Sequence, residues 1–328
     1  MITNIDDNIG ILTKKLEDLG IADNTILIFM TDNGSSMGDK KLEKIKAFNA
    51  GMRGKKNSEY DGGHRVPFFI KYPNGKLESG KDINNISAHI DVLPTLIALC
   101  GLKLNKHINF DGINLMPLIN GSSKNWSKRL LITDSQRVEH PVKWRKSVVM
   151  SDNWRLVNGV ELYNMVDDPG QTNDIALKKP RKVKKFRKAY DTWWDDVSSD
   201  FDDFQAIIIG SPKEQPVNLT SHDWHSNTQV PWNHKHIRSG LQGNGFWVLD
   251  IESTGIYEIT LSRWPLSTKL PITSGMEKRP ALNGTSVNES LEGKALNILK
   301  AKIEIGREKM EQDVKETDVS VTLSLIHI

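Results

Sequence analysis

Cysteine is nearly missing from this sequence: 328 residues hold one, Cys100. That excludes an internal disulfide framework and any metal cage built from cysteines. Long apolar runs are missing as well. Thr25–Met30 and Val66–Ile70 are far shorter than the roughly 20 residues a membrane-spanning helix needs, so no membrane span is expected. There is no excess of one charge, since 44 Lys and Arg face 41 Asp and Glu for a net +3. So balanced a surface has little long-range field to gather nucleic acid, which is not expected as a partner. Hydrophobic residues at 38% and charged residues at 26% exclude a disordered or fibrous chain. Met1–Asp7 lacks the basic start and apolar stretch of a secretory leader, which leaves the compartment open.

What is present begins with helical spacing of Ile5, Ile9, Leu12, Leu16 and Leu19, with Asp6 and Asp7 suited to a helix start and Gly20 to its stop. Asn24–Met30 follows, β-branched and apolar on both faces, as in a central parallel strand. A second such strand is expected at Val66–Tyr72, and a helix at Ile90–Cys100. Helix alternating with buried strand is the pattern of a doubly wound α/β sheet. From about Ser127 the pattern changes to short strands, Arg129–Thr133, Lys146–Met150, Trp154–Val157 and Val160–Tyr163, expected to form a small antiparallel sheet. Val183, Phe186, Tyr190, Trp193 and Val197 then make a helical stripe, with a run of Lys and Arg over 178–188 on the opposite face. Beyond Pro216, alternating segments at Phe246–Ile251, Gly255–Arg263 and Leu296–Ile305 suggest a β-sandwich-like module. Helical spacing starts almost at Met1, and the last stretch, Val319–Ile328, reads as a strand without a pairing partner, so a piece of a longer protein is expected, whose α/β sheet would lack strands, expose an unpaired edge and fold poorly alone.

Two segments carry chemistry. Asp32-Asn33-Gly34 ends the first strand, at the edge where open α/β sheets build their sites. A carboxylate beside an amide carbonyl offers two hard oxygen ligands, suited to Ca²⁺ or Mg²⁺ rather than Zn²⁺. Alone, the tripeptide is equally a turn that stops a strand. The second segment, Gly54-Lys55-Lys56-Asn57-Ser58-Glu59-Tyr60-Asp61-Gly62-Gly63-His64-Arg65-Val66-Pro67, puts a compact cation on a glycine-rich loop, where it can meet an anionic group.

In combination these segments resemble the sulfatase family of the alkaline-phosphatase-like superfamily. The resemblance runs in order through Ile5–Gly10, Asn24-Thr25, Asp32–Gly34, Lys56 with Tyr60–Pro67, His89–Leu96, Asp111-Gly112, Glu161–Asn164 and Asp168–Gly170. It implies an α/β fold holding an incomplete doubly wound sheet in residues 1–126, then a small antiparallel sheet plus helix over 127–200. A β-rich C-terminal extension over 201–328 completes the expected organisation. It implies a sulfuric ester hydrolase of arylsulfatase type, with a sulfated small molecule or sulfated polysaccharide as partner, in a secreted, periplasmic or lysosomal setting. Asp32 and Asn33 would ligate a divalent cation, usually Ca²⁺. Lys56, four positions before Tyr60, would contact the sulfate as a catalytic and substrate-binding cation, with Lys55 its rival by one register. His64 is the further substrate-binding candidate, or else a loop histidine packed on the strand. Gly62 and Gly63 would serve close backbone packing, and Arg65 structure.

The family nucleophile, a formylglycine made within Cys/Ser-x-Pro/Ala-x-Arg, has no counterpart here, and Cys100 in Leu99-Cys100-Gly101-Leu102 fails the pattern. The paired aspartates, the leaving-group histidine and a second lysine also belong upstream in the family; Asp6-Asp7 matches a later segment. The expected activity therefore belongs to a complete form, and this chain is expected to be inactive alone. Two alternatives stay open: a non-catalytic chain that binds sulfated glycans, and a phosphatase or phosphodiesterase of the same superfamily. The basic run 178–188 could attract a sulfated polysaccharide or be a solvated helix face. His222, His225, His234 and His236 match no zinc spacing. Trp224, Trp232, Trp247 and Trp264 suit either core packing or sugar stacking.

Overall fold

The computed structural model describes residues 2–38, 41–42, 45–77, 79–104, 108–122, 126, 128–136, 138–282 and 289–327, without the side chains of 41–42, 45–46 and 324–327. Two compact units result, 1–199 and 200–328.

The first unit opens with α1 (Ile2–Asp18). Gly20, at φ +67°, closes it by donating from its amide to the Glu17 carbonyl, while the amide of Ile21 reaches Leu16. Because helical spacing already holds from Ile2, Asp6 and Asp7 fall in the second turn rather than at the start. Strand β1 (Leu27–Met30) follows, then the short pair β2 (Lys41–Leu42) and β3 (Ile45–Lys46), the one-turn helix α2 (Asp61–His64) and strand β4 (Phe68–Lys71). Residues 39–40 and 43–44 of the intervening polar loop lie outside the described residues.

The expectation of parallel strands is corrected here. β1 and β4 pair antiparallel, from Leu27 opposite Lys71 to Met30 opposite Phe68, and they form a sheet of two strands. A run of apolar residues reports burial on both faces, not the direction of the neighbouring strand. The strand is also shorter than the expected Asn24–Met30: Asn24 ends a 3₁₀ turn, and pairing begins only at Leu27. Helix and sheet do alternate, so the α/β character stands.

Helix α3 (Val92–Leu99) and the single turn α4 (Met116–Ile119) complete this part. The buried Asp91 organises it. Its carboxylate accepts from the amides of Ala88 (2.7 Å) and Ile113 (2.9 Å) and pairs with the Arg129 guanidinium. Burial alone would raise the Asp91 pKa; the hydrogen bonds from Arg129, Ile113 and Ala88 outweigh it and hold the carboxyl below its ordinary value.

The four-stranded antiparallel sheet is ordered β5 (Leu131–Asp134), β6 (Ser147–Met150), β7 (Trp154–Val157) and β8 (Glu161–Asn164), close to the sequence expectation. One face packs α5 (Pro180–Val197), where Val149, Leu156, Leu162, Phe186 and Tyr190 form a buried cluster. The other face collects Leu131, Val148, Met150, Val157 and Tyr163 with Tyr60, Ile86 and Ala88 against it. Strand alternation thus feeds two cores, one of which reaches the lysine loop.

The second unit holds β9 (Ile207–Ile209), helix α6 (His234–Ser239), β10 (Leu249–Ile251), β11 (Ile256–Leu261), β12 (Lys300–Ile305), β13 (Glu308–Asp313) and β14 (Val321–His327). Among the described residues its strands pair two by two instead of forming broad stacked sheets. Ile272, Val321 and Leu323 centre a core that Leu261, Ala301, Ile303 and Met310 close. The final strand has a partner after all: β14 lies antiparallel to β11, with Leu261 opposite Val321. The register needs a bulge at Tyr257/Glu258, which no alternation pattern reveals. Among the described residues, no helix is long and apolar enough to cross a membrane.

Candidate functional site

β1 delivers Thr31-Asp32-Asn33-Gly34 at its C-terminal end, and the lysine loop is fastened directly to this turn. The Gly34 amide donates to the Gly63 carbonyl at 2.9 Å, and the Lys56 amide donates to the Ser35 carbonyl at 2.9 Å. A side chain at Gly34 would collide with the Gly62 carbonyl, and one at Gly62 with the carbonyls of Gly54 and Arg53. Glycine is required here because backbones touch, as expected for Gly62 and Gly63. The loop tightens on itself through Ser58 N–H to Lys55 O, Gly62 N–H to Arg53 O and Gly63 N–H to Tyr60 O. Asn49 spans its base, donating from Nδ2 to the carbonyls of Met52 and Gly54 at 3.0 Å each.

The structure therefore brings the Asp32-Asn33 turn and the backbone of Lys56 together. Asp32 is exposed, Asn33 and Lys56 are half-buried. Among the described residues none of these three side chains has an ion-pair or hydrogen-bond partner. Lys55 is exposed beside Gly38. His64 faces its own loop, with Nε2 3.3 Å from the Glu59 carbonyl and 3.9 Å from Asp61. Burial lowers its pKa, against the pull of the Asp61 carboxylate, so neutral imidazole is favoured.

Asp32 and Asn33 suit a hard divalent cation as two oxygen donors, but Ca²⁺ takes six to eight. Among the described residues no three His, Cys, Asp or Glu side chains converge on a metal position. The pair fits as part of a ligand set, not as the whole of one.

The supports of this loop lie on the small sheet, and sequence reasoning gave them no role. Asp61 is fully buried, and Arg155 of β7 donates from Nε to its Oδ1 at 2.7 Å. The Asp61 amide donates to the buried Gln171 side chain at 2.8 Å. Arg53 donates to the Gln171 carbonyl (2.9 Å) and the Tyr163 hydroxyl (3.0 Å), and lies 3.8 Å over the Tyr60 ring. Tyr60 and Tyr163 both donate to Glu161. Burial and the Glu161 bond push the Tyr60 hydroxyl up to about 12, and Tyr163 upward as well. In the sequence Asp61 shows only its place beside two glycines; its burial, which makes the carboxylate need a cation, appears in the fold. Its partner, some 90 residues away, could not be read.

His89 is the other unassigned neighbour: exposed, it donates from Nε2 to the Thr31 carbonyl at 2.8 Å, immediately before Asp32. In the second unit, His222 and His236 flank Trp232 at ring distances of 6.2 and 5.8 Å, with Trp232 47% exposed and Trp264 buried.

Comparison with known proteins adds a second line. Residues 1–102 match the family described as Sulfatase, and residues 54–191 the one described as N-sulphoglucosamine sulphohydrolase, C-terminal. Arylsulfatase K of Xenopus laevis is 22% identical over 288 residues, covering 82% of this chain and 47% of that protein. An ulvan-active sulfatase of Formosa agariphila is 31% identical over 130 residues, 40% of this chain and 23% of that protein. Among solved structures, Ps i-CgsB in complex with k-i-k-neocarrahexaose superposes with a TM-score of 0.50 at 25% identity, over 59% of this chain and 41% of that one. The chain thus spans less than half the length of each of these relatives.

Proposed function

We propose, from the similarity of residues 1–191 to the sulfatase family, that this chain is the cation- and sulfate-binding portion of a sulfuric ester hydrolase. The observation that carries the proposal is the backbone bond from Lys56 to Ser35, which ties the lysine loop to the Asp-Asn turn. Sulfated glycans are the substrate class favoured by the relatives, one named for ulvan and one solved with a neocarrahexaose.

Each residue has a task in this reading. Asp32 and Asn33 would hold a divalent cation, Ca²⁺ by preference for hard oxygens, whose positive charge would favour binding of the sulfate there. Lys56 presents its ammonium to the non-bridging sulfate oxygens, where charge grows in the transition state. His64, neutral and turned into its loop, supports the turn rather than moving a proton, and His89 steadies the backbone before Asp32. Arg155 and Gln171 are positioning residues that act through Asp61. No Cys/Ser-x-Pro/Ala-x-Arg sequence occurs in the 328 residues, so turnover needs a nucleophile supplied by sequence outside them.

The test is hydrolysis of an aryl sulfate and an aryl phosphate by a protein that joins these residues to such a nucleophile. Sulfate is expected to be the preferred ester, and Lys56→Ala to lower turnover by about 10²-fold or more, as loss of an oxyanion-stabilising donor does elsewhere. Full activity of Lys56→Ala would sink the assignment, and preference for phosphate would favour a phosphatase. The missing nucleophile motif also favours a second reading, a chain that binds sulfated glycans without turnover; measurable aryl sulfate hydrolysis by the 328 residues alone would exclude it.

A further inference from the structure

The surface of α5 offers a second anionic-ligand site, apart from the lysine loop. Between Lys178 and Lys188 the chain carries eight cations and no acid: Lys178, Lys179, Arg181, Lys182, Lys184, Lys185, Arg187 and Lys188. None of the eight forms an ion pair among the described residues. The nearest helix carboxylates, Asp191 and Asp195, are engaged by Lys143 at 2.9 and 3.7 Å. The like charges are felt: burial, then Lys185, Lys179 and Lys128, push the Lys182 pKa below its ordinary value. Such self-repulsion is a standing cost that a bound polyanion would relieve.

The cations border a shaped surface. Lys184 lies about one helical turn before the neighbouring pair Arg187 and Lys188, and all three line an open groove of about 710 Å³. Its floor is apolar, with Val183, Val160 and Leu177, the last 97% exposed, and Asp191, its charge met by Lys143, also lines it. Two cations are fixed by rings beneath them, Arg187 5.6 Å over Trp144 and Lys182 4.2 Å over Trp154. A ring-stacked cation has less freedom to lose when an anion arrives.

We infer that this groove is an exosite for a sulfated polysaccharide, the sulfates meeting Lys184, Arg187 and Lys188 and the sugar C–H faces meeting Val160 and Leu177. This rests on the proposed action on sulfated glycans and extends it to a site that holds the polymer outside the reacting position. A shallow apolar floor bordered by three cations along one helix, unpaired among the described residues, matches a linear polyanion. A single-stranded nucleic acid would call for exposed aromatic platforms, yet Trp144 and Trp154 are capped by Arg187 and Lys182.

Calorimetry of the 328-residue chain with a heparin-derived dodecasaccharide at about 0.15 M salt tests the inference. Replacing Lys184, Arg187 and Lys188 by Gln is expected to weaken binding about tenfold or more while the circular dichroism spectrum and a cooperative melt are kept. The control replaces the exposed Lys213, Lys235 and Lys269 by Gln, the same charge change elsewhere, and is expected to keep the affinity within about twofold. Equal loss in both variants would overturn the site, since net charge would then explain the binding; so would undiminished binding by the groove variant. Equal affinity for polyglutamate of matched charge would also overturn it, in favour of an acidic protein segment. Because binding is read without turnover, failure of the hydrolase reading would leave this result standing.

Discussion

Helices α1 and α5 carry equally legible apolar stripes and meet opposite fates. On α5, Phe186 and Tyr190 are 3% and 0% exposed against β6, β7 and β8. On α1 no residue is buried, and Ile5 and Leu12 stay 43% and 47% exposed, with Leu19 just beyond its end 56% exposed. The same contrast separates the two sheets: Val148, Val149, Leu156, Val157 and Leu162 are fully buried, whereas β1 and β4 are at most half-buried. A periodic stripe reports that a helix needs a partner. It does not say whether the chain supplies one. The candidate site straddles this contrast, since its Asp-Asn turn ends the sparsely packed β1 while its lysine loop is clamped to the densely packed sheet.

The contrast can be broken experimentally at several strengths. The largest effect is expected from Arg155→Ala, which leaves the fully buried Asp61 carboxylate without its closest cation. Urea unfolding should show a loss of about 3–5 kcal/mol, and a loss below about 1 kcal/mol would mean the clamp is not formed. Leu156→Ala should cost about 2–5 kcal/mol through the cavity between the sheet and α5. An intermediate effect is set by pH. Asp91 has its carboxyl held below the ordinary 3.8, so its contribution is present above that value and drains away as pH falls through the depressed one. Acid unfolding curves should show this component in the parent and lose it in Asp91→Asn. The smallest effect belongs to Leu12→Ala on α1, within about 0.5 kcal/mol because that side chain is half exposed and belongs to no buried cluster among the described residues. A cost of 2 kcal/mol or more there would erase the distinction between the two helices.

Much of this was readable before any coordinates. The four strands β5 to β8 followed from alternation bounded by turn residues, and α5 from its stripe. Gly62 and Gly63 were legible as a place where backbones touch. Less visible were features that depend on distant pairing. The antiparallel partnering of β1 with β4 leaves no mark on a short apolar run. The bond between β14 and β11 hides behind a bulge. Arg155 and Gln171 look like ordinary polar residues until the fold carries them to Asp61. His89 opens the matched segment His89–Leu96 but carries no role in the sequence, and its reach to Thr31 is a tertiary fact.

Whether the Asp-Asn turn and Lys56 share one ligand can be seen directly in crystals of the chain soaked with a calcium salt and an aryl sulfate. The expected result is a cation about 2.3–2.6 Å from oxygens of Asp32 and Asn33, with the sulfate bridging it to the Lys56 ammonium. A cation bound elsewhere, or Lys56 turned away from a sulfate held at that turn, would contradict it.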